Sequence, residues 1–242
     1  MKIPTFLSKP PLAPILIWQG LTVRRHALLL AEPIGPRKGT TRSQISTDTH
    51  LRLLIIGDSS AAGVGVDHQE DALLGQLIAR LSQSMHVTWQ LEAKTGATTP
   101  STLQHLQHLD PDHFDVALIV LGVNDVTRNA SLRPWIAQQN RLRALLRAKF
   151  GVQHILVNDL PPMGRFPLLP TPLRQILGQD AARLGRALAA NVAKEPDVTF
   201  VPITVPYAPK YIAKDGFHPS KAAYDLWADM LAPQITTKNG QT

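Results

Sequence analysis

Short apolar runs alternate along most of the chain with longer segments in which apolar residues recur at helical spacing. The runs 51–56, 116–121 and 155–157 are almost continuously apolar, which is typical of parallel strands buried on both faces. Further strands are predicted over 87–91 and 198–201. Helices are predicted over 71–84, 101–109, 132–150, 173–193 and 220–231. Strands alternating with helices predict an α/β fold in which helices cover both faces of an open parallel sheet.

The first 49 residues differ in composition and patterning from the rest of the chain. They contain prolines at positions 4, 10, 11, 14, 33 and 36, from which we expect no long regular element. Residues 39–49 are polar and linker-like. The sequence therefore predicts a proline-containing N-terminal arm over 1–49 and one folded domain over 50–242, a length sufficient for a full hydrophobic core.

Charge follows the same division. Of the net charge of +7, residues 1–50 carry +5 and residues 51–242 carry +2. A nucleic-acid enzyme would carry its basic patch on the folded domain, so we expect no nucleic-acid partner. No stretch reaches the roughly 18 apolar residues that a transmembrane helix needs. We expect a cytoplasmic protein whose basic arm makes peripheral contact with a membrane surface.

Residues that can take part in catalysis follow several of the predicted strands. Ser59 follows the first strand, Gly96 the second and Asn124 the third, while Asp215 and His218 lie in the loop before the last helix. In open parallel sheets the ligand site lies at the carboxyl ends of the strands. We therefore expect these five residues to meet at one edge of the sheet.

Their residue types predict nucleophilic hydrolysis. A serine hydroxyl is a poor nucleophile at neutral pH, so Ser59 needs a base, and His218 can take its proton and return it to the leaving group. Asp215 can orient and stabilise the imidazolium. The backbone N–H groups of Ser59 and Gly96, together with the side-chain amide of Asn124, would form the oxyanion hole. The predicted reaction is attack on an acyl carbon to give an acyl-Ser59 intermediate.

The pattern resembles the SGNH or GDSL hydrolases, a family of GDSL-type esterases, lipases and lysophospholipase-like enzymes. The resemblance rests on Gly57-Asp58-Ser59-Ser60, Gly96, Gly122-Val123-Asn124-Asp125 and Asp215-Gly216-Phe217-His218, and runs from about residue 51 to 231. Ser60 stands where leucine is usual. The resemblance implies a three-layer α/β/α fold with a flavodoxin-like open parallel sheet, and hydrolysis of carboxylic esters or thioesters without a metal or other cofactor.

The same residues allow other interpretations. The α/β-hydrolases need Gly-X-Ser-X-Gly, which is absent around Ser59. Taken singly, the motifs at Ser59, Asn124 and Asp215 could be turns or helix caps. His105, His108 and His113 suggest a metal site, but a solvated helix face is the favoured interpretation.

The proline-rich segment 160–172 leaves a predicted strand at the same edge of the sheet. It is either a rigid connector or a wall of an acyl pocket, with Met163, Phe166 and Leu168 as candidate substrate-binding residues. Its apolar character favours acyl esters as the small-molecule substrate. Two alternatives stay open at this point: a carbohydrate deacetylase, and a membrane-associated or partner-binding module of the same fold with little turnover.

Overall fold

The computed structural model describes residues 12–26 and 28–239. In this part of the chain six strands form one sheet in the order β1-β3-β2-β4-β5-β6. The strands from β2 to β6 are parallel, and β1 pairs antiparallel with β3 at one edge. The parallel strands have the flavodoxin-like order, so the predicted α/β class is confirmed. The strands are β1 Lys38–Thr41, β2 His50–Gly57, β3 His86–Ala93, β4 Val116–Val120, β5 His154–Asn158 and β6 Val198–Val201.

Helices cover both faces of the sheet, as three layers require. One face packs against α3 and α8, and the other against α4, α6 and α7. Three 3₁₀ turns, Gln69–Asp71, Met163–Arg165 and Pro209–Tyr211, lie in the connections. The helices are α1 Ala13–His26, α2 Ser59–Ala62, α3 Leu73–Leu81, α4 Thr99–His108, α5 Val123–Thr127, α6 Leu132–Phe150, α7 Leu173–Val192 and α8 Lys221–Asn239.

The central strand β2 shows why the apolar run was continuous. Leu53 and Ile55 point into the core on the α3/α8 side, whereas Leu54 and Ile56 point into the core on the α4/α6/α7 side. All four side chains are buried. Successive side chains of a strand point to opposite faces, so a strand between two helical layers must be apolar at every position.

The expectation that prolines keep the arm free of long regular elements is wrong. Helix α1 spans 14 residues. Pro14 is its second residue, where the first turn leaves the N–H group without an intrahelical partner, so proline costs no hydrogen bond. The segment expected to be linker-like contributes β1, which extends the sheet through Gly39 and its neighbours. Residues 1–11 of the predicted arm lie outside the described residues.

Part of the arm also packs on the domain. The Leu16 side chain is 3% exposed, and the Gln19 amide donates to the carbonyl of Thr171 at 2.7 Å. Among the helices of the described residues, none has the combined length and hydrophobicity needed to cross a bilayer.

Candidate active site

Ser59 lies at the point where β2 passes into α2. Gly57 ends the strand, and a Cβ there would stand 2.5 Å from the carbonyl oxygen of Val120, so only glycine lets β2 approach β4 this closely. Asp58 then caps α2 by accepting a hydrogen bond from the N–H of Ser60 at 3.0 Å. The sharp turn leaves Ser59 as the first residue of a short helix, 7% exposed at the edge of the sheet.

The carboxyl group of Asp58 is buried beneath this turn. Burial raises its pKa from the ordinary value of 3.8 to about 7, although the hydrogen bond from Ser60 and the nearby His218 act in the opposite direction. Asp58 therefore holds a proton over much of the acidic range, next to the candidate nucleophile.

The loop before α8 brings the other two catalytic candidates to Ser59. The Nε2 atom of His218 lies 2.8 Å from the Oγ atom of Ser59, and its Nδ1 atom lies 2.5 Å from Oδ2 of Asp215. The Oδ1 atom of Asp215 accepts hydrogen bonds from the N–H groups of Phe217 and His218. Gly216 has φ +70°, which lets the loop fold back so that the carboxylate reaches both the backbone and the ring.

Asp215 is in a different environment from Asp58. Burial acts to raise its pKa, but the hydrogen bonds from the His218 ring and from the two backbone N–H groups outweigh burial, and the pKa lies below its ordinary value. The carboxylate is therefore ionised at neutral pH and can accept a hydrogen bond from the Nδ1–H group of His218.

The two further oxyanion candidates lie in adjacent loops that are joined to each other. Gly96 follows β3 with φ +79°, and Asn124 lies in the first turn of α5. The Nδ2 atom of Asn124 donates to the carbonyl of Ala97 at 3.0 Å, so its side chain is directed at the Gly96 loop. Asp125 accepts hydrogen bonds from the N–H and hydroxyl of Thr99, which fixes α5 against α4. Their role as oxyanion donors stays a prediction.

Beside the triad lies an apolar cleft of about 760 Å³, including the space open to solvent. His218 and Phe166 line it, and Phe166 stacks on Tyr207 and packs edge-on against Phe217. The other candidate pocket residues lie elsewhere. Met163 is 0% exposed inside the core and does not reach the cleft, and Leu168 is half-buried, with its N–H bonded to the carbonyl of Gly216.

Several supporting residues escaped the sequence interpretation. Segment 203–212 after β6 supplies one wall of the cleft, and the apolar residues around Pro206 at that edge of the sheet were an available signal. Glu32 accepts hydrogen bonds from the N–H and hydroxyl of Thr95, next to Gly96. Gly65 has φ +119° and lies against the carbonyl of Pro219, which follows His218. Neither contact has a pattern in the sequence, since both join segments distant along the chain.

The histidines considered for a metal site lie away from the triad, on and beyond α4. His105 is 2.6 Å from Glu92, and His108 bonds to the carbonyl of Gln104 in its own helix. His113 lies beyond the helix and faces Asp115. All three histidines are exposed, as expected of a solvated surface.

Comparison with known proteins identifies the family of this chain. The model of the GDSL-like lipase/acylhydrolase family matches residues 55–226. The GDSL-like esterase Rv1075c of Mycobacterium tuberculosis is 32% identical over 203 residues, which are 78% of this chain and 62% of that protein. The chain thus spans about 62% of the length of this curated relative.

Solved structures share the fold. TesA superposes with a TM-score of 0.62 at 21% identity, covering 76% of this chain and 97% of TesA. The esterase EstA from Pseudoalteromonas sp. superposes with a TM-score of 0.61 at 18% identity, covering 78% of this chain and 99% of EstA. At these identities the superpositions concern the fold, and the family match concerns the sequence. The chain belongs to the GDSL-like lipase/acylhydrolase family, whose model it matches over residues 55–226.

Proposed function

We propose that this chain hydrolyses carboxylic esters or thioesters of acyl chains through an acyl-Ser59 intermediate. The observation that carries the proposal is the hydrogen-bonded series from Ser59 Oγ through His218 to Asp215, at 2.8 and 2.5 Å, beside an apolar cleft. A serine, a base and an orienting carboxylate in this order constitute an activated nucleophile.

In the first half-reaction Nε2 of His218 takes the proton of Ser59 as Oγ bonds to the acyl carbon. The electron pair of the carbonyl moves onto its oxygen, where the N–H groups of Ser59 and Gly96 and the amide of Asn124 stabilise the negative charge. The bond to the leaving alcohol or thiol then breaks, and His218 returns the proton to the leaving group. Water releases the acid by the same sequence of proton transfers.

The cleft favours acyl chains over sugars. Its wall near His218 is made of Phe166, Phe217 and Tyr207, packed against one another and flanked by proline and aliphatic side chains. Such a surface gains free energy by removing hydrocarbon from water, at about 25 cal/mol per Å². A deacetylase would place only an acetyl group in this space.

A test combines an activity-based label with substrate chain length. Ser59→Ala should lose labelling by a fluorophosphonate and lower kcat on p-nitrophenyl esters by about 10⁴-fold or more. Ser84→Ala, a change of an exposed serine in a turn before β3, is the matched control and should keep both. Labelling and turnover that persist in Ser59→Ala would contradict the acyl-Ser59 mechanism.

The chain-length series separates the alternatives. An acyl esterase should turn over esters with chains longer than acetate with higher kcat/KM, whereas a deacetylase should prefer acetate and acetylated oligosaccharides. A binding module without turnover should hydrolyse none of them and resist the label.

A further inference from the structure

Exposed hydrophobic surface is concentrated in one segment of this protein. Across the described residues, eight large hydrophobic side chains are exposed, and seven of them lie between positions 15 and 34. Trp18 is 64% exposed and Leu29 is 90% exposed. The surfaces of soluble proteins normally scatter such residues singly, so their concentration between positions 15 and 34 indicates an interaction site. The group, called here the apolar rim segment, comprises Ile15, Ile17, Trp18, Leu21, Leu28, Leu29 and Ile34.

Helix α1 has one face fixed to the protein and the opposite face free. Leu16 is buried, Val23 packs against the core on the α7 side, and Gln19 bonds to the loop before α7. These three residues lie on one side of a 3.6-residue helix. Trp18 and Leu21 lie on the other side, and they are directed into solvent because the first face is anchored.

The segment lies along the edge of the sheet that carries the candidate triad. Gln19 bonds to Thr171, in the loop after β5, and Glu32 bonds to Thr95, in the loop after β3. Ile34 forms backbone hydrogen bonds with the loop around Asp67, and this loop follows the helix of Ser59. All these anchors are on the carboxyl-end side of the strands, as is the cleft.

Charge decides which partner suits this surface. Residues 1–34 contain the basic residues Lys2, Lys9, Arg24 and Arg25, and their one acidic residue, Glu32, is paired with Arg37. An apolar, tryptophan-containing helix face accompanied by net positive charge is complementary to an anionic lipid surface, where tryptophan enters the headgroup region and basic residues stay at the phosphates. A second copy of the same segment would bring positive charge against positive charge.

We propose that the apolar rim segment docks the protein onto anionic lipid surfaces, with the edge of the sheet that holds Ser59 and His218 turned towards the lipid. The docking is independent of catalysis. Its consequence, that acyl esters residing in the lipid layer reach the cleft without crossing bulk water, rests on the function proposed above.

Vesicle flotation of the full chain tests the docking. We expect binding to vesicles of equal parts phosphatidylcholine and phosphatidylglycerol, weaker binding to phosphatidylcholine alone, and loss of the difference at high salt. The double change Trp18→Ser and Leu21→Ser should weaken partitioning about 10-fold or more, because two large apolar side chains no longer enter the lipid. Arg25→Ser should weaken it roughly fivefold.

The chain offers a matched control in Ile45→Ser. Ile45 is 58% exposed and, among the described residues, is the large exposed hydrophobic residue outside the apolar rim segment, so this change should leave vesicle binding as it is. Equal binding by the double variant and by Ile45→Ser would overturn the proposal. So would absence of binding to anionic vesicles, or a lipid-free dimer in light scattering that the double variant dissociates, since the segment would then join two copies.

Hydrolysis of p-nitrophenyl acetate separates this inference from the proposed function. Ser59→Ala should bind vesicles normally and hydrolyse nothing, whereas the double variant should hydrolyse the soluble ester normally and lose about 10-fold in turnover of esters embedded in anionic vesicles. Vesicle binding without any hydrolysis by the unaltered protein would contradict the proposed function and leave the docking standing. Normal hydrolysis of the soluble ester without vesicle binding would overturn the docking alone.

Discussion

Two carboxyl groups near Ser59 have opposite protonation behaviour because their partners differ. Asp58 accepts one backbone hydrogen bond in a fully buried position, and burial raises its pKa to about 7. Asp215 is also buried, but it accepts bonds from the His218 ring and from two N–H groups, and its pKa falls below its ordinary value. At residue scale, therefore, hydrogen-bond count decides which carboxylate is the ionised member of the triad.

Asp58 should make stability depend on pH in a definite direction. Its pKa is raised in the folded state, so folding binds a proton between about pH 4 and pH 7, and stability contributed by this group falls as pH rises through that window. Asp58→Asn keeps an oxygen to cap α2 and does not titrate. In urea unfolding, the free energy of unfolding of the variant minus that of the unaltered protein should increase by about 1 kcal/mol or more from pH 4 to pH 7. A constant difference across that range would contradict the raised pKa.

Asn124 should act mainly on the transition state. Asn124→Ala should lower kcat by about 10²–10³-fold with a smaller change in KM, because an oxyanion donor acts on charge that develops during the reaction. Thr127→Ala, an exposed change in the same helix, serves as the control in steady-state assays. A variant with normal kcat and raised KM would reassign Asn124 to ground-state binding.

At the scale of elements, the candidate site is made of loops that contact and stabilise one another. The loop of Ser59 continues to Gly65, which touches the loop of His218, and Tyr224 of α8 donates to the carbonyl of Val64 at 2.7 Å. The Gly96 loop is held on one side by Asn124 and on another by Glu32. Catalytic geometry thus depends on contacts among elements that are far apart in sequence.

Gly65 should be essential for the position of His218. A Cβ at Gly65 would stand 2.1 Å from the carbonyl oxygen of Pro219, and the residue has a φ of +119°, which side chains rarely adopt. Gly65→Ala should therefore displace the loop and lower kcat by about 10–100-fold, because misplacing a catalytic group by about 1 Å reduces the rate by up to this factor.

The matched control for this change is Gly20→Ala. Gly20 lies inside α1 with no heavy atom within 4 Å of the added Cβ, so alanine should keep kcat and stabilise the helix by about 0.5–1 kcal/mol. Unchanged kcat in Gly65→Ala, measured alongside this control, would show that the His218 loop is not positioned by this contact.

At the scale of the whole molecule, residues 32–41 pack against the part of the domain that carries the candidate site. β1 extends the sheet, Arg37 donates to the carbonyl of Ala93 at the end of β3, and Glu32 holds Thr95 beside Gly96. These residues therefore support the loop that carries Gly96, a candidate oxyanion donor.

A chain that begins at Thr47 should melt at a lower temperature and have a lower kcat than the full chain. It lacks the edge strand and both contacts to the end of β3. Glu32→Ala in the full chain isolates the effect on chemistry. It should lower kcat about 3–10-fold with little change in KM or melting temperature, and Glu32→Gln, which keeps an acceptor oxygen, should restore much of it. Equal kcat in the full chain, the shortened chain and Glu32→Ala would show that the arm is dispensable.

The sequence by itself determined the layered α/β fold and the position of the candidate triad along the chain. Continuous apolar runs such as 51–56 occur where strands are covered on both faces, and polar residues after such runs fall at the carboxyl edge of a parallel sheet. This pattern of apolar runs followed by polar residues is local and periodic, so the sequence alone reveals it. Ser59, Asp215 and His218 are close in space for the same reason, since the topology brings their loops to one edge.

Only the tertiary structure decided what surrounds that triad. Met163 and Phe166 lie three residues apart in the same proline-rich segment, yet a 3₁₀ turn directs the first into the core and leaves the second on the cleft. The bonds of Glu32 to Thr95 and the approach of Gly65 to Pro219 join segments more than 60 residues apart. Contacts of this kind follow from how the layers pack, and no local periodicity encodes them.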